Sequence, residues 1–470
     1  MSHSGSQFSA LASYKNNALI TVLPHTADLK LLMPLSGDPE KDTVQEVLGL
    51  QVHEYIHQLH NFSTTAGIQL LKNRLVALQI FATGTNDDGH YVRQGKIYKG
   101  IDKSVLENFE RDYSRILGDT GKIEREGFLA DFSFEVNEIC EETDDPTDLC
   151  NILGVTVSYK IGGIPEKTVI DNVGYNIITE GIAYEIEMHV RNTITGGSGM
   201  GLVYSTPPLP YRLYRPIVEH LVGRRCSLPE LVKIGTLALQ NTIPSWGLKA
   251  ATAALKHSDE LFEQFTASMA KEHQEVMEGY NKTISQLLDS VFVGTSVSDG
   301  MKMLDGIVRS AFNKRVEDPF FELLFIQEPL TLQAFSDIIQ GGNLPPRCII
   351  QNKFDEGAEY YWMGNGVANL PEATFGAIST LQAAIQYSHL HLSQKASFNN
   401  TSELVNSPHE LSCPYLKVCP LKDARKNPEL CSTTPWMHDL GIQSGDVCWY
   451  VNGVKSVRNL SYRDYDEDYA

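Results

Sequence analysis

His53-Glu54-Tyr55-Ile56-His57 is the run on which this sequence turns. It lies inside an apolar stripe made of Val44, Val47, Leu48, Val52, Tyr55, Ile56 and Leu59. Those positions recur at the period of an α-helix. The helix is expected to begin near Thr43. Thr43-Val44-Gln45-Glu46 has the form of a capping box, in which the threonine caps the helix and the glutamate reaches back to it. On a helix, residues i and i+4 sit one above the other on the same face. The imidazoles of His53 and His57 can therefore reach one ion. Glu54 is rotated by about 100° from His53. It cannot join the pair as an equal ligand, but it can lean over a water beside the ion.

Outward from this helix, residues 66–81 read as a second one, and residues 172–190 as a third. Residues 18–23 and 29–35 look like strands joined by a turn. Residues 132–136 and 154–159 also alternate in the manner of strands. The stretch Thr195-Gly-Gly-Ser-Gly-Met-Gly201 and the proline-rich residues 207–210 form a loop or linker. It lacks the Lys-Ser/Thr ending of a phosphate-binding loop. A plain linker is the simplest reading, and a movable flap beside a site is the functional one. From 211 to 339 the pattern is mostly helical. Residues 347–351 and 359–363 suggest a hairpin, and residues 371–394 a further helix. The chain closes on the acidic Asp464-Tyr-Asp-Glu-Asp-Tyr469.

The 470 residues carry 39 Lys and Arg against 58 Asp and Glu, a net charge of -19. That balance argues against nucleic acid or an anionic membrane as the main partner, because both want clustered cations. No apolar run approaches the roughly 18 residues of a membrane span. The N-terminus, Met-Ser-His-Ser-Gly-Ser-Gln-Phe, lacks the basic and apolar regions of a secretory signal. Eight cysteines in this length do not make a disulfide scaffold. The expected setting is reducing cytoplasm.

The helix motif has the His-Glu-x-x-His arrangement of zinc hydrolases. Two histidines do not complete such a site, which usually has three protein ligands and one open position. The metzincin continuation fails, because His60 stands where Gly is wanted and Ser63 where His or Asp is wanted. Thr179-Glu180-Gly181-Ile182-Ala183-Tyr184-Glu185-Ile186-Glu187 instead resembles the Glu-Gly-x-Ala segment of the gluzincin metallopeptidases. The resemblance implies that Glu180 is the third zinc ligand and Ala183 the small packing residue. Gly181 and Ala183 would let the two helices approach. Glu180, Tyr184, Glu187 and Arg191 follow one helical stripe, which could also be a solvated face. Some gluzincins orient the first histidine with an Asp where this chain has Tyr184, so Glu187 or another acid would have to do so.

The resemblance further implies one catalytic Zn2+ and a protein or peptide substrate. Glu54 would act as general base toward a water acidified by zinc to a pKa of about 7. The oxyanion would need a second donor. Tyr184, Tyr204, Tyr211, Tyr214 and His220 are the candidates. The implied fold is α+β: a zincin-like metallopeptidase core with a small sheet, followed by a helix-rich remainder. Residues 29–35 are the candidate strand beside the site. The expected organisation is a catalytic region over 1–225, a mostly helical region over 226–400 and a Cys-rich segment over 401–470. Two other functions remain open. One is an inactive zinc-binding scaffold or sensor, against which the presence of Glu54 counts. The other is a zinc amidohydrolase of a small molecule, which would want a Glu-Gly-Cys segment that this chain lacks.

Cys413, Cys419, Cys431 and Cys448 gather near the C-terminus, with five, eleven and sixteen residues between them. Two of them precede proline. They are candidates for a second, structural zinc or an iron–sulfur cluster, with His409 and His438 as spare ligands. Ordinary reduced thiols are the alternative. His389 and His391 diverge on a helix and suggest no site.

Overall fold

The computed structural model describes residues 13–15, 19–23, 41–85, 111–119, 132–141, 150–161, 164–195, 208–327, 330–341, 344–352, 358–363, 372–393, 397–398, 412–416, 418–419, 421, 428–437 and 448–458. It is a mixed α+β structure in which helices dominate. Residues 29–35, Tyr204, the glycine-rich loop, His409 and His438 lie outside the described residues.

Helix α1 (Lys41–Ser63) begins two residues before the expected start. Its apolar stripe is buried from Val47 to Leu59. Thr64 then turns the chain. Its backbone is extended, and its hydroxyl accepts the Gly67 N–H, which starts helix α2 (Thr65–Gly84).

Three antiparallel strands follow: β3 (Phe132–Glu141), β4 (Cys150–Ile161) and β5 (Ile164–Ile170). They pair in register, with Phe134 opposite Val157 and Val155 opposite Ile170. Val155, Val157 and Tyr159 alternate inward and give the sheet one core face. The chain then enters helix α3 (Tyr175–Thr195), which packs along α1. Ile178, Ile182 and Ile186 are fully buried on its apolar side.

A second sheet has the order β1 (Ser13–Lys15), β2 (Ile20–Leu23), β6 (Arg347–Asn352), β7 (Ala358–Met363). The expected hairpin is the antiparallel pair β6–β7. Strand β2 joins it in parallel, with Thr21 opposite Ile349, so segments on either side of residue 225 share one sheet.

Between the sheets' segments run α4 (Tyr214–Val222), α5 (Leu228–Leu239), α6 (Pro244–His257), α7 (Asp259–Gln286), α8 (Ser296–Glu317) and α9 (Leu332–Gly341). Ser227 and Glu230 form a reciprocal capping box at the start of α5. Helix α10 (Glu372–His391) and two short helices, α11 (Pro428–Thr433) and α12 (Trp449–Ser456), are the last described α-helices.

Among the described residues, two hydrophobic cores result. One joins α1, α3, the three-stranded sheet and α4 to α6. The other joins α2, α8, α10, the four-stranded sheet and the C-terminal segments. No described helix is long and apolar enough to cross a membrane.

Candidate metal centre

The packing of α3 on α1 brings three ligand atoms to one point. Nε2 of His53 and Nε2 of His57 are 3.1 Å apart. Oε2 of Glu180 lies 3.2 Å from each of them. Around a tetrahedral ion with ligands at about 2.0–2.1 Å, neighbouring ligand atoms stand about 3.3 Å apart. The triangle therefore has the edge length of a first coordination shell. Among the described residues, this is the group of His, Cys, Asp or Glu whose ligand atoms all lie within 4.8 Å of one another. His53, Glu54 and His57 are 9% exposed or less, whereas the Glu180 side chain retains 26%. The site thus opens toward solvent on the Glu180 side.

Partners behind the ligands set which imidazole nitrogen faces the point of convergence. Nδ1 of His53 lies 2.8 Å from Oε2 of Glu187, whose other oxygen is 2.5 Å from Arg191. Nδ1 of His57 lies 3.3 Å from the Thr179 hydroxyl, which is 2.7 Å from Nδ1 of His60. Nε2 of His60 continues to Oε1 of Glu322 at 3.2 Å. Glu322 is clamped by both Nη atoms of Arg315, and Arg315 also donates to the Ser63 hydroxyl at 2.8 Å.

Proton counting gives this chain one direction. His57 Nδ1–H donates to Thr179 and Thr179 donates to His60 Nδ1, which places the His60 proton on Nε2, 3.2 Å from Glu322. His57 is then left with a bare Nε2 lone pair facing the cluster, as a metal ligand requires. Burial, partly opposed by Glu322, keeps the His60 imidazole below its ordinary value, in keeping with a neutral link. Burial works to raise the Glu322 carboxyl, but Arg315 and His60 outweigh it and hold it at about 2.

The charges at the cluster itself are strongly coupled. Burial opposes charge on His53, yet hydrogen bonds to Glu180 and Glu187 raise it well above its ordinary value. Burial likewise favours a neutral Glu180, but the two imidazoles overcome this and hold it well below the usual carboxylate range. Two nitrogens and a carboxylate oxygen aimed at one point form a donor set for a borderline divalent cation. Glu54 stands beside this set, not in it. Its Oε2 is buried without a hydrogen-bond partner among the described residues. Burial raises the Glu54 carboxyl above its ordinary value, partly offset by His53 and His57. A buried carboxylate with an orphaned oxygen next to a ligand triangle fits the presence of an ion and a water between them.

The expected polar stripe faces this cluster: Tyr184, Glu187 and Arg191 are each 8% exposed, so it is not a solvated face. The small residues act differently from expectation. A Cβ at Gly181 would fall 2.1 Å from Cβ of Tyr214, so Gly181 admits α4, not α1. The glycine that serves the approach of α1 and α3 is Gly49, where a Cβ would meet Nε of Arg191 at 2.8 Å and Cγ of Glu187 at 3.3 Å.

Of the oxyanion-donor candidates, Tyr211 comes to the site, with its ring centroid 5.9 Å from that of His53 and 6.3 Å from that of Tyr184. Two others do not. The Tyr214 hydroxyl is spent on the Leu231 carbonyl at 2.6 Å, inside the core. His220 is exposed and its ring packs edge-on against Phe134 of β3.

Thr179, Glu322, Arg315 and the residues before β6 were not anticipated. The Tyr55 hydroxyl donates to the Pro345 carbonyl at 2.9 Å, and the Gln58 amide to Pro346 at 2.5 Å. Arg347 donates to the Gln51 side chain at 2.8 Å. These bonds strap the lead into β6 along the metal helix. No local pattern marks such partners, since they are close to the helix only after folding. The four C-terminal cysteines lie in the other core, where the Cys413 N–H donates to the Cys431 carbonyl at 2.8 Å. No protein-family model, no curated protein and no solved structure matches this chain.

Proposed function

We propose that this chain is a zinc-dependent metallopeptidase with a zincin-like core of the gluzincin kind, working in a reducing, cytoplasmic setting. The observation that carries this reading is the meeting of His53, His57 and Glu180 within 3.2 Å of one another, beside Glu54, whose Oε2 has no hydrogen-bond partner among the described residues. His53, His57 and Glu180 would hold the zinc ion. Bound there, zinc supplies Lewis acidity that polarises a carbonyl and acidifies water.

The chain's own groups do the rest. Glu54 accepts a proton from the attacking water and hands it to the departing amine. Burial, reinforced by the charges of Glu180, Glu54 and Glu187, raises the Tyr211 hydroxyl well above its ordinary value. It therefore stays protonated and can donate to the oxyanion. Glu187 and Thr179 hold the two imidazoles with Nε2 forward.

The test is Glu54→Gln, which keeps the shape of the side chain and removes the base. Zinc should stay bound, as read by metal analysis, while cleavage of a peptide library falls by at least about 10²-fold. Cleavage at the wild-type rate would sink the peptidase reading.

A further inference from the structure

We propose that His60 is a positioning residue for the metal ligand His57, and that the Arg315–Glu322 ion pair fixes the direction in which it acts. The inference rests on the reading of His53, His57 and Glu180 as a metal centre. It does not depend on the reaction carried out there. His60 is fully buried on α1, the helix that carries both histidine ligands. Its two ring nitrogens face two other elements. Nδ1 is 2.7 Å from the Thr179 hydroxyl on α3. Nε2 is 3.2 Å from Oε1 of Glu322, in the short 3₁₀ helix Phe321–Phe325.

Thr179 alone gives this chain no direction, because a hydroxyl both donates and accepts. In one arrangement His57 Nδ1–H donates to Thr179, and Thr179 donates to His60 Nδ1. In the reverse arrangement His60 Nδ1–H donates to Thr179, and Thr179 donates to His57 Nδ1. The first leaves the Nε2 lone pair of His57 free toward His53 and Glu180. The second puts a proton on that nitrogen, which then cannot hold a metal.

Glu322 decides between them. Both Nη atoms of Arg315 grip its two oxygens, a geometry that keeps it a carboxylate. Arg315 is anchored in turn. It donates to the Pro319 carbonyl and to the Ser63 hydroxyl, each at 2.8 Å. The Ser63 hydroxyl gives its own proton to the Leu59 carbonyl at 2.6 Å, so its oxygen is left to accept. In the reverse arrangement a bare Nε2 lone pair of His60 would stand 3.2 Å from an anionic oxygen, with both residues at 0% exposure. Repulsion at that range is poorly screened in a protein interior. The first arrangement turns an N–H toward the carboxylate instead. The contact acts through charge, since Nε2 has no aligned hydrogen-bond partner among the described residues. The two ligands are thus oriented by different means. His53 has its acid, Glu187, directly on Nδ1 at 2.8 Å. His57 has its acid two links away, which spares the cluster a further carboxylate beside Glu54, Glu180 and Glu187.

The experiment uses the full chain. Imidazole nitrogen NMR of the metal-free wild type should find the His60 proton on Nε2. Zinc affinity is then read by competition with a chromophoric chelator. His60→Phe should weaken zinc roughly tenfold. His60→Gln should restore it, because an amide can accept from Thr179 and donate toward Glu322. The double variant Arg315→Met with Glu322→Leu removes both charges and strands neither. Once folded, it should still bind zinc about tenfold more weakly, whereas a merely structural role for the pair would leave affinity at the wild-type level. Should His60→Phe fail to fold, the tautomer in the wild type and the double variant decide. A His60 proton on Nδ1, or wild-type zinc affinity in folded His60→Phe and in the double variant, overturns the proposal and leaves the metal centre standing. Wild-type protein that binds no zinc removes the metal centre and this proposal with it.

Discussion

Oε2 of Glu187 stands 2.8 Å from Nδ1 of His53, on the side of the ring opposite the ligand triangle. The carboxylate is itself held by Arg191 one helical turn along. It therefore fixes both the rotation of the imidazole and the nitrogen that carries the proton. Partners of this kind typically contribute 10–100-fold to metal affinity, by about this order. Glu187→Ala should weaken zinc binding by roughly that factor while helix content is kept. Competition against a chromophoric chelator reads it. Unchanged affinity would mean that packing alone orients His53.

The Thr179 hydroxyl is the corresponding element for His57 and, unlike Glu187, it carries no charge. Thr179→Val keeps the volume but removes both donor and acceptor, leaving His57 Nδ1 and His60 Nδ1 without partners. Zinc affinity should fall about tenfold or more, and Thr179→Ser should restore it. The ligand-field spectrum of the cobalt-substituted protein should change in Thr179→Val and return in Thr179→Ser. A purely structural role for Thr179 would alter stability and leave that spectrum as in the wild type.

At the far end of the same chain, the Arg315–Glu322 pair is fully buried and should matter to stability first. Breaking such a pair on one side leaves an unmatched charge and costs about 3–5 kcal/mol. Arg315→Met should thus lower the denaturation midpoint sharply. The double change Arg315→Met with Glu322→Leu should recover part of the loss, because no charge is stranded. If the double variant is as unstable as the single one, the pair is not the source of the penalty.

How legible this was depends on which contacts are local. The helix of His53 and His57 could be read because its period and its i, i+4 spacing are properties of one segment. Glu180 could be read only by a resemblance, and its stripe with Glu187 and Arg191 followed from helical spacing. The hairpin of residues 347–363 was visible in its alternation, but the parallel pairing with residues 20–23 was not, because nothing in either strand names its partner. Gly181 was assigned to the wrong neighbour for the same reason. A glycine signals close approach, and the sequence does not say of what. Tyr214 and His220 looked like donors by type, and packing alone spends the one on Leu231 and turns the other outward.

Tyr211→Phe addresses the donor candidate whose ring packs on His53. Its hydroxyl is removed and its ring contact with His53 is kept. Loss of one such donor typically costs about 10²–10³ in kcat. The expected result is a fall of that size in kcat, with little change in KM and full zinc content. A change confined to KM would assign Tyr211 to substrate binding instead.

Acid stability should carry the mark of two histidines that have no part in the site. His273 bonds to the Thr65 hydroxyl at 3.0 Å and stacks on Phe312. His391 is wedged between Phe81 and Tyr387, with neither nitrogen partnered among the described residues. Burial, with the charges of Arg315 and Arg458 respectively, pushes each down to about 3. In the unfolded chain both titrate near the ordinary value of about 6.5. Above that pH they are neutral in both states, and their contribution is fully present. As pH falls below it, the unfolded chain takes up protons that the folded protein refuses. Each histidine then lowers stability by about 1.4 kcal/mol per pH unit until the folded value is reached. Chemical denaturation of wild type and His391→Leu at pH 7 and pH 5 isolates one of them. The variant should lose less stability on acidification than the wild type, by about that slope. An equal loss in both would show that His391 takes up its proton in the folded state at an ordinary pH.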